Sequence, residues 1–231
     1  MFVLDSSTSI WSEDFKRQLK FVRNLVNSFD IGTGKSQVRV GVITFSDDAH
    51  LEFSFDKYTS RNELEDAILA IPYRSGITNT AAALRMARLQ LGRYLYDSSG
   101  LFVTIVITDG LSQLPHETER EAKNLHTLGV HVYAIGVGKH YDVEELKVIA
   151  SDPLHNVFEV SSYAVLENIA QSFNVKTCEG DLFISIYLSK SFCYLSIYLI
   201  YSAIYLSIYL SIYLFNPLCY LSIYLSMYLS I

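Results

Sequence analysis

Apolar and polar positions alternate between two periods along most of this chain, and the changes of period mark out its elements. Phe2 to Asp5 is a short apolar run, after which Phe15, Leu19, Val22, Leu25, Val26 and Phe29 return at helical spacing as far as the Gly32-Thr33-Gly34 turn. Val38 to Phe45 reads as a strand, with Leu51 to Phe55 as its antiparallel neighbour across the tight Ser46 to Ala49 connection. Helices are predicted over Arg61 to Ala70 and from about Asn79 to Leu95. Leu101 to Thr108 is apolar at nearly every position, the signature of a central parallel strand buried on both faces. A helix from Glu117 to Leu128, a strand from Val130 to Val137 and a short helix from Val143 to Ala150 follow. A strand from Asn156 to Glu159 and a helix from Tyr163 to Phe173 complete the unit. Strands separated by helices imply an α/β fold: a doubly wound, mostly parallel sheet with one antiparallel edge strand and helices on both faces. Ligands of such folds bind beyond the carboxyl ends of the strands, where strand order reverses.

From Ser185 onward this pattern gives way to a repeat, Ser-Ile-Tyr-Leu, as in Ser207 to Leu210, Ser211 to Leu214 and Ser222 to Leu225. Residues 182–231 hold a single charge, Lys190, and ten of the 17 tyrosines. Extended, the repeat would place Ser and Tyr on one face and Ile and Leu on the other, an amphipathic strand with aggregation risk. As a helix, each repeat turns about 400°, so its apolar stripe drifts by about 40° per repeat and presents no constant face. A serine and a tyrosine in every four residues also weaken the hydropathy of stretches such as Ile197 to Phe215, which argues against a membrane anchor. Because TCT-ATC-TAT-CTA encodes Ser-Ile-Tyr-Leu, a tetranucleotide repeat read in frame accounts for residues 179–231, which are expected to be disordered or an artefact of translation. Met1 leads directly into the first strand with no basic segment or cleavage site, so no signal peptide is read and the domain is expected to be truncated at its N-terminus.

The chain carries 18 Lys and Arg against 24 Asp and Glu, a formal charge of −6, which argues against a phosphate-tracking nucleic-acid binder. Three cysteines in 231 residues do not make a disulfide scaffold. The six histidines lack paired metal-ligand spacing and are expected in surface or packing roles. Three polar segments, by contrast, converge on the predicted ligand edge. Asp5-Ser6-Ser7-Thr8-Ser9 follows the first strand, Thr108-Asp109-Gly110 follows the central strand, and Gly76-Ile77-Thr78-Asn79-Thr80 opens a helix. If the first and central strands are neighbours, Asp5 and Asp109 lie close enough to repel unless a proton or a cation comes between them. Hydroxyls without cysteine or histidine make a hard, all-oxygen site, suited to Mg²⁺, Mn²⁺ or Ca²⁺ and disfavouring zinc. Taken singly, each segment reads equally well as a helix cap. Trp11, just past the first segment, reads either as part of a ligand face or as core.

The five residues Asp5 to Ser9 match the Asp-x-Ser-x-Ser motif of von Willebrand factor type A domains, and Thr78 and Asp109 match the other two positions of that family's metal-ion-dependent adhesion site, the MIDAS. Val40-Gly41-Val42-Ile43-Thr44-Phe45-Ser46, Val106-Ile107-Thr108-Asp109-Gly110 and Ala134-Ile135-Gly136-Val137-Gly138 also resemble family blocks, in family order, so that the resemblance covers roughly residues 1–178. Its nearest flavour is the extracellular-matrix subgroup of matrilins and collagen VI. Ala81 stands where the family often has glycine, and Glu117 lies farther beyond Thr-Asp-Gly than the family's acidic residue often does.

The resemblance implies a Rossmann-like fold in which Asp5, Ser7, Ser9, Thr78 and Asp109 hold Mg²⁺, or Mn²⁺ or Ca²⁺, directly or through water. It implies a partner that is an extracellular protein offering a carboxylate, a collagen or another matrix glycoprotein, and a secreted location. Family habit would join Cys178 by a disulfide to a cysteine ahead of the first strand, which this chain lacks. Two other functions fit part of the pattern: the same fold binding through a metal-independent surface, and a Mg²⁺-dependent phosphatase. The phosphatase needs a second carboxylate two residues after its nucleophile, and Ser7 stands there. The expectation is therefore recognition without bond making.

Overall fold

A computed structural model describes residues 1–34, 36–95, 100–169, 173–178 and 181–186. Its main sheet contains β1 (Phe2–Asp5), β2 (Val42–Phe45), β3 (Ala49–Phe53), β4 (Val103–Thr108), β5 (His131–Val137) and β6 (Val157–Val160). These lie in the order β3-β2-β1-β4-β5-β6. Every pairing is parallel except that of β2 with β3, so the expected antiparallel edge strand is present. The order reverses between β1 and β4, and the carboxyl ends of those two strands, Asp5 and Thr108, flank the crevice.

Six helices, α1 (Ser12–Val26), α2 (Arg61–Leu69), α3 (Thr80–Gly92), α4 (Pro115–Thr127), α5 (Val143–Ile149) and α6 (Tyr163–Ile169), surround the sheet. β1 is buried at all four positions because both of its faces are covered. By strand alternation Val3, Ile43, Phe45, Val106, Val132 and Ala134 point one way, where they form a core with Ala83, Leu84 and Ala87 of α3, Ala122 and Leu125 of α4 and Leu146 of α5. Helix α1 packs against α2 and α6, and buries Phe15, Leu19, Val22 and Val26 at the spacing that predicted it.

Several boundaries differ from the sequence reading, and three of the shifts have a clear cause in pairing. Strand β2 begins at Val42 rather than Val38, because Val38 makes an isolated parallel bridge to Ile31 and its amide bonds to Asp30 O at 2.7 Å. β3 starts at Ala49, two residues before the expected Leu51, since the Ser46 amide closes the turn on Asp48 O at 3.0 Å and Ala49 already pairs with Phe45. Helix α6 stops at Ile169, and Phe173, expected to end that helix, opens β7 (Phe173–Cys178), which pairs antiparallel with β8 (Asp181–Ile186). The alternating apolar and polar residues of Phe173-Asn174-Val175-Lys176-Thr177 fit a period of two better than one of 3.6. The repeat from Tyr187 onward, and with it the reading of that segment as disordered or artefactual, lies outside the described residues.

Leu84, fully buried between α3 and the sheet, tests this core. Leu84→Ala is expected to lower unfolding free energy by about 2–5 kcal/mol, read as a shift of the urea midpoint at unchanged slope.

Candidate metal-binding site

The first loop is organised by a carboxylate that has no access to water. Asp5 ends β1 fully buried; its Oδ1 accepts the Ser7 amide at 2.8 Å and its Oδ2 accepts the Thr108 hydroxyl at 2.6 Å. Gln18 of α1 donates through Nε2 to the Asp5 carbonyl at 3.1 Å. Burial pushes the Asp5 carboxyl up to about 6; the hydrogen bonds from Thr108 and Ser7 oppose that shift, and the nearby Asp109 carboxylate adds to it. No basic side chain lies within ion-pair distance of Asp5 or Asp109 among the described residues.

Beyond Asp5 the chain folds into a turn, closed by the Ile10 amide on Ser7 O at 3.1 Å. The turn brings the hydroxyls of buried Ser7 and exposed Ser9 to 2.9 Å, and Ser9 Oγ donates to Asp109 Oδ1 at 2.6 Å. Thr8, between them, turns to the neighbouring loop. Its amide bonds to Gly76 O at 2.8 Å, its hydroxyl donates to the same carbonyl at 2.9 Å, and that hydroxyl accepts the Gly76 amide at 2.9 Å. A continuous chain of hydrogen bonds thus runs from Asp5 through Ser7 and Ser9 to Asp109, across the reversal between β1 and β4. Burial raises the Asp109 carboxyl as well, against the Ser9 hydrogen bond that lowers it.

Thr78 reaches this place from the loop just before α3, held mostly by its backbone neighbours. The Asn79 amide bonds to Ser46 O at 3.0 Å, the Gln113 amide bonds to Thr78 O at 3.0 Å, and Asn79 Oδ1 caps α3 by accepting the Ala82 amide at 3.1 Å. A Cβ built on Gly110 would lie 3.4 Å from Thr78 Oγ1 and 3.6 Å from Ser9 Oγ, which shows how closely the β4 loop passes both hydroxyls. All five residues singled out in the sequence therefore meet at one point.

Several supporting residues carried no sequence signal. Tyr73 donates from its hydroxyl to Ile10 O at 2.8 Å and Ser7 O at 3.2 Å, tying the loop before α3 to the first loop. Asp47 accepts the Ile77 amide at 2.8 Å. Arg74 pairs with Glu52 of β3 and bonds the Thr44 hydroxyl. Thr108 had been quoted only within a motif; its place at the inner end of β4 is what lets its hydroxyl reach Asp5. Trp11 is 79% exposed, which excludes the core alternative, and each of the other two loops also carries an exposed apolar residue beside its polar one: Ile77 at 51% and Leu111 at 53%.

A family model described as von Willebrand factor type A domain matches residues 1–172. Vitrin of Homo sapiens is 35% identical over 182 residues, covering 75% of this chain and 26% of vitrin. Matrilin-3 of Gallus gallus is 29% identical over 187 residues, 78% of this chain and 40% of matrilin-3. The collagen alpha-1(XXI) chain of Xenopus laevis is 36% identical over 186 residues, 79% of this chain and 19% of the collagen. The chain thus spans well under half the length of these relatives. Among solved structures, proximal thread matrix protein 1 from the mussel byssus is similar with a TM-score of 0.67 and 30% identity over 74% of this chain and 43% of that one, in a form described as having a zinc-occupied MIDAS motif. Matrilins, vitrin and collagens are proteins of the extracellular matrix, in agreement with the extracellular location expected for this chain. Among the described residues no helix is long and apolar enough to cross a membrane.

Two substitutions outside the cage test how the loops are held. Tyr73→Phe removes the donor to Ser7 O and Ile10 O and is expected to lower stability by about 1–2 kcal/mol in urea unfolding. Gly76 sits at φ 124°, and a Cβ there would lie 2.7 Å from Asp47 Oδ1. Gly76→Ala is expected to cost about 1–3 kcal/mol, visible as a lower Tm.

Proposed function

We propose that this chain, which belongs to the von Willebrand factor type A domain family, is a cation-dependent protein-binding module of the extracellular matrix. In this reading Asp5, Ser7, Ser9, Thr78 and Asp109 hold a divalent cation, Mg²⁺ or else Mn²⁺ or Ca²⁺. The observation that carries it is the hydrogen-bonded line from Asp5 through the Ser7 amide and the Ser7 and Ser9 hydroxyls to Asp109, two carboxylates in no ion pair among the described residues at the strand-order reversal. Two such carboxylates favour a bound cation, which lets both stay ionised, or a proton, which makes one of them neutral. The zinc reported at the motif of the mussel relative widens the class of ions to be tested beyond the hard cations that an all-oxygen donor set favours.

When bound, the cation supplies an electrophilic coordination position that accepts a carboxylate oxygen of the partner. The residues of this chain do the rest. Thr108 and the Ser7 amide aim the Asp5 carboxylate, the Ser9 hydroxyl aims Asp109, and Tyr73 and Thr8 fix the spacing of the first loop from that of Thr78. Trp11, Ile77 and Leu111 supply apolar contact beside each loop, which suits a protein surface rather than a free acid. A collagen or another matrix glycoprotein presenting an acidic side chain is the partner class this chemistry favours, by binding without bond making. The net negative charge disfavours nucleic acid, and the repeat tail is assigned no role in the site.

Titration with Mg²⁺ under thermal unfolding is expected to stabilise the domain, by about 2.7 kcal/mol when the free ion stands a hundredfold above its Kd. Asp5→Ala is expected to abolish that gain together with binding to immobilised collagen, and to remain folded by circular dichroism. Collagen binding equal in Mg²⁺ and in EDTA would instead point to a surface that works without metal.

A further inference from the structure

Tyr163, the first residue of α6, is a buried phenol whose hydroxyl has no hydrogen-bond partner among the described residues. An unpaired buried O–H costs free energy, about 1–3 kcal/mol, so its retention calls for an acceptor that the described arrangement has yet to bring into reach. The candidate acceptors are close at hand. Tyr163 and Asp109 line the same cavity of about 230 Å³, together with Asp14 and Arg17 of α1 and His140. Burial raises the phenol well above its usual range, and the charges of Asp109, Asp5 and Asp14, in that order, raise it further, so the hydroxyl lies in the field of the two carboxylates of the cage. Asp14 stands outside the cage and is charge-paired with Arg17 through Oδ1 at 2.6 Å, and within the cage both oxygens of Asp5 already accept Ser7 and Thr108. Asp109 takes the Ser9 hydroxyl on Oδ1 alone. An ionised carboxylate has about four acceptor positions, and one that binds a cation through one oxygen is oriented by the donors on the other.

We propose that Tyr163 is a positioning residue for the site: its hydroxyl is the donor that fixes the second oxygen of Asp109, directly or through a water in the shared cavity, as the cage closes on a cation. The inference rests on the cation-cage reading above. A cavity of this volume with polar walls has room for such a water. Its consequence is a division of effects. The phenol is a burden on the metal-free fold and an asset to the loaded one, whereas a ring that merely packs would affect both states alike.

Tyr163→Phe keeps the ring and deletes the hydroxyl. Calorimetric titration of the full chain with Mg²⁺ and with Mn²⁺ is expected to show Kd weakened about fivefold, the loss of one hydrogen bond, while the Tm in EDTA is unchanged or higher. Ser9→Ala, which removes a ligand, is expected to weaken both ions further in the same assay. If the unsubstituted chain binds and Tyr163→Phe binds within twofold of it, this inference falls and the cage stands. An equal loss of Tm in EDTA and in saturating Mg²⁺ would also overturn it, by showing a structural role only. If the unsubstituted chain takes up neither ion, the cage reading falls and this inference falls with it.

Discussion

The desolvation of Asp5 is the constraint on which the rest of the site depends. A carboxylate at the end of the central strand, covered by helices on both faces of the sheet, cannot be solvated by water and has no basic partner among the described residues. The protein compensates only in part, with the Ser7 amide and the Thr108 hydroxyl, and burial still outweighs those two bonds. A fold made for stability alone would place an apolar residue there, as it does at Val3 and Leu4 one turn of the pleat earlier. In the proposed reading, a charge kept in such a position is a store of electrostatic free energy that a bound cation would release.

The surrounding structure makes that store specific. Three loops that are far apart in the chain are locked to one another mainly through backbone groups: Thr8 to Gly76, Asn79 to Ser46, Gln113 to Thr78. Such bonds restrain the donors before any ligand arrives, so little ordering entropy remains to be lost on binding. Each loop starts from a strand end or a helix N-terminus that is itself packed in the core, and the oxygen atoms inherit their spacing from the parallel pairing of β1 with β2 and β4. The exposed side chains of Trp11, Ile77 and Leu111 stand on these same loops, so the polar cage and the apolar contact surface are carried by one rigid frame.

The second half of the sheet contributes less visibly. Helix α6 brings Tyr163 beneath the cage from strand β6, two places from β4 in the sheet, and α5 brings Glu145 to the Ser112 amide at 3.1 Å, bracing the loop that carries Asp109. These elements offer no oxygen to the cage as read from the sequence, yet Glu145 restrains the loop that follows Asp109. The site therefore draws on nearly the whole length of the domain, from Asp5 to Tyr163.

The amino-acid sequence alone determined the alternation of strands and helices and the antiparallel edge, and it singled out the five residues proposed as ligands, because periodicity is local and because Asp-x-Ser-x-Ser and Thr-Asp-Gly are compact signals written within a few residues. It also exposed the change of character at Ser185, where composition suffices. Only the tertiary structure decided that Thr108 serves Asp5, that Tyr73, Thr8 and Asp47 hold the loops, that Trp11 stands in solvent, and that Tyr163 lies buried with an idle hydroxyl. A tyrosine or threonine at a helix start or strand end looks the same in the sequence whether its hydroxyl is wet, paired or orphaned. The difference arises from which backbone carbonyls and carboxylates the packing of distant segments brings within 3 Å, and from how much water that packing removes. The ends of β2 and α6 went astray for a related reason, since the competing partners there, Ile31 for Val38 and β8 for Phe173, pair through contacts that no local period records.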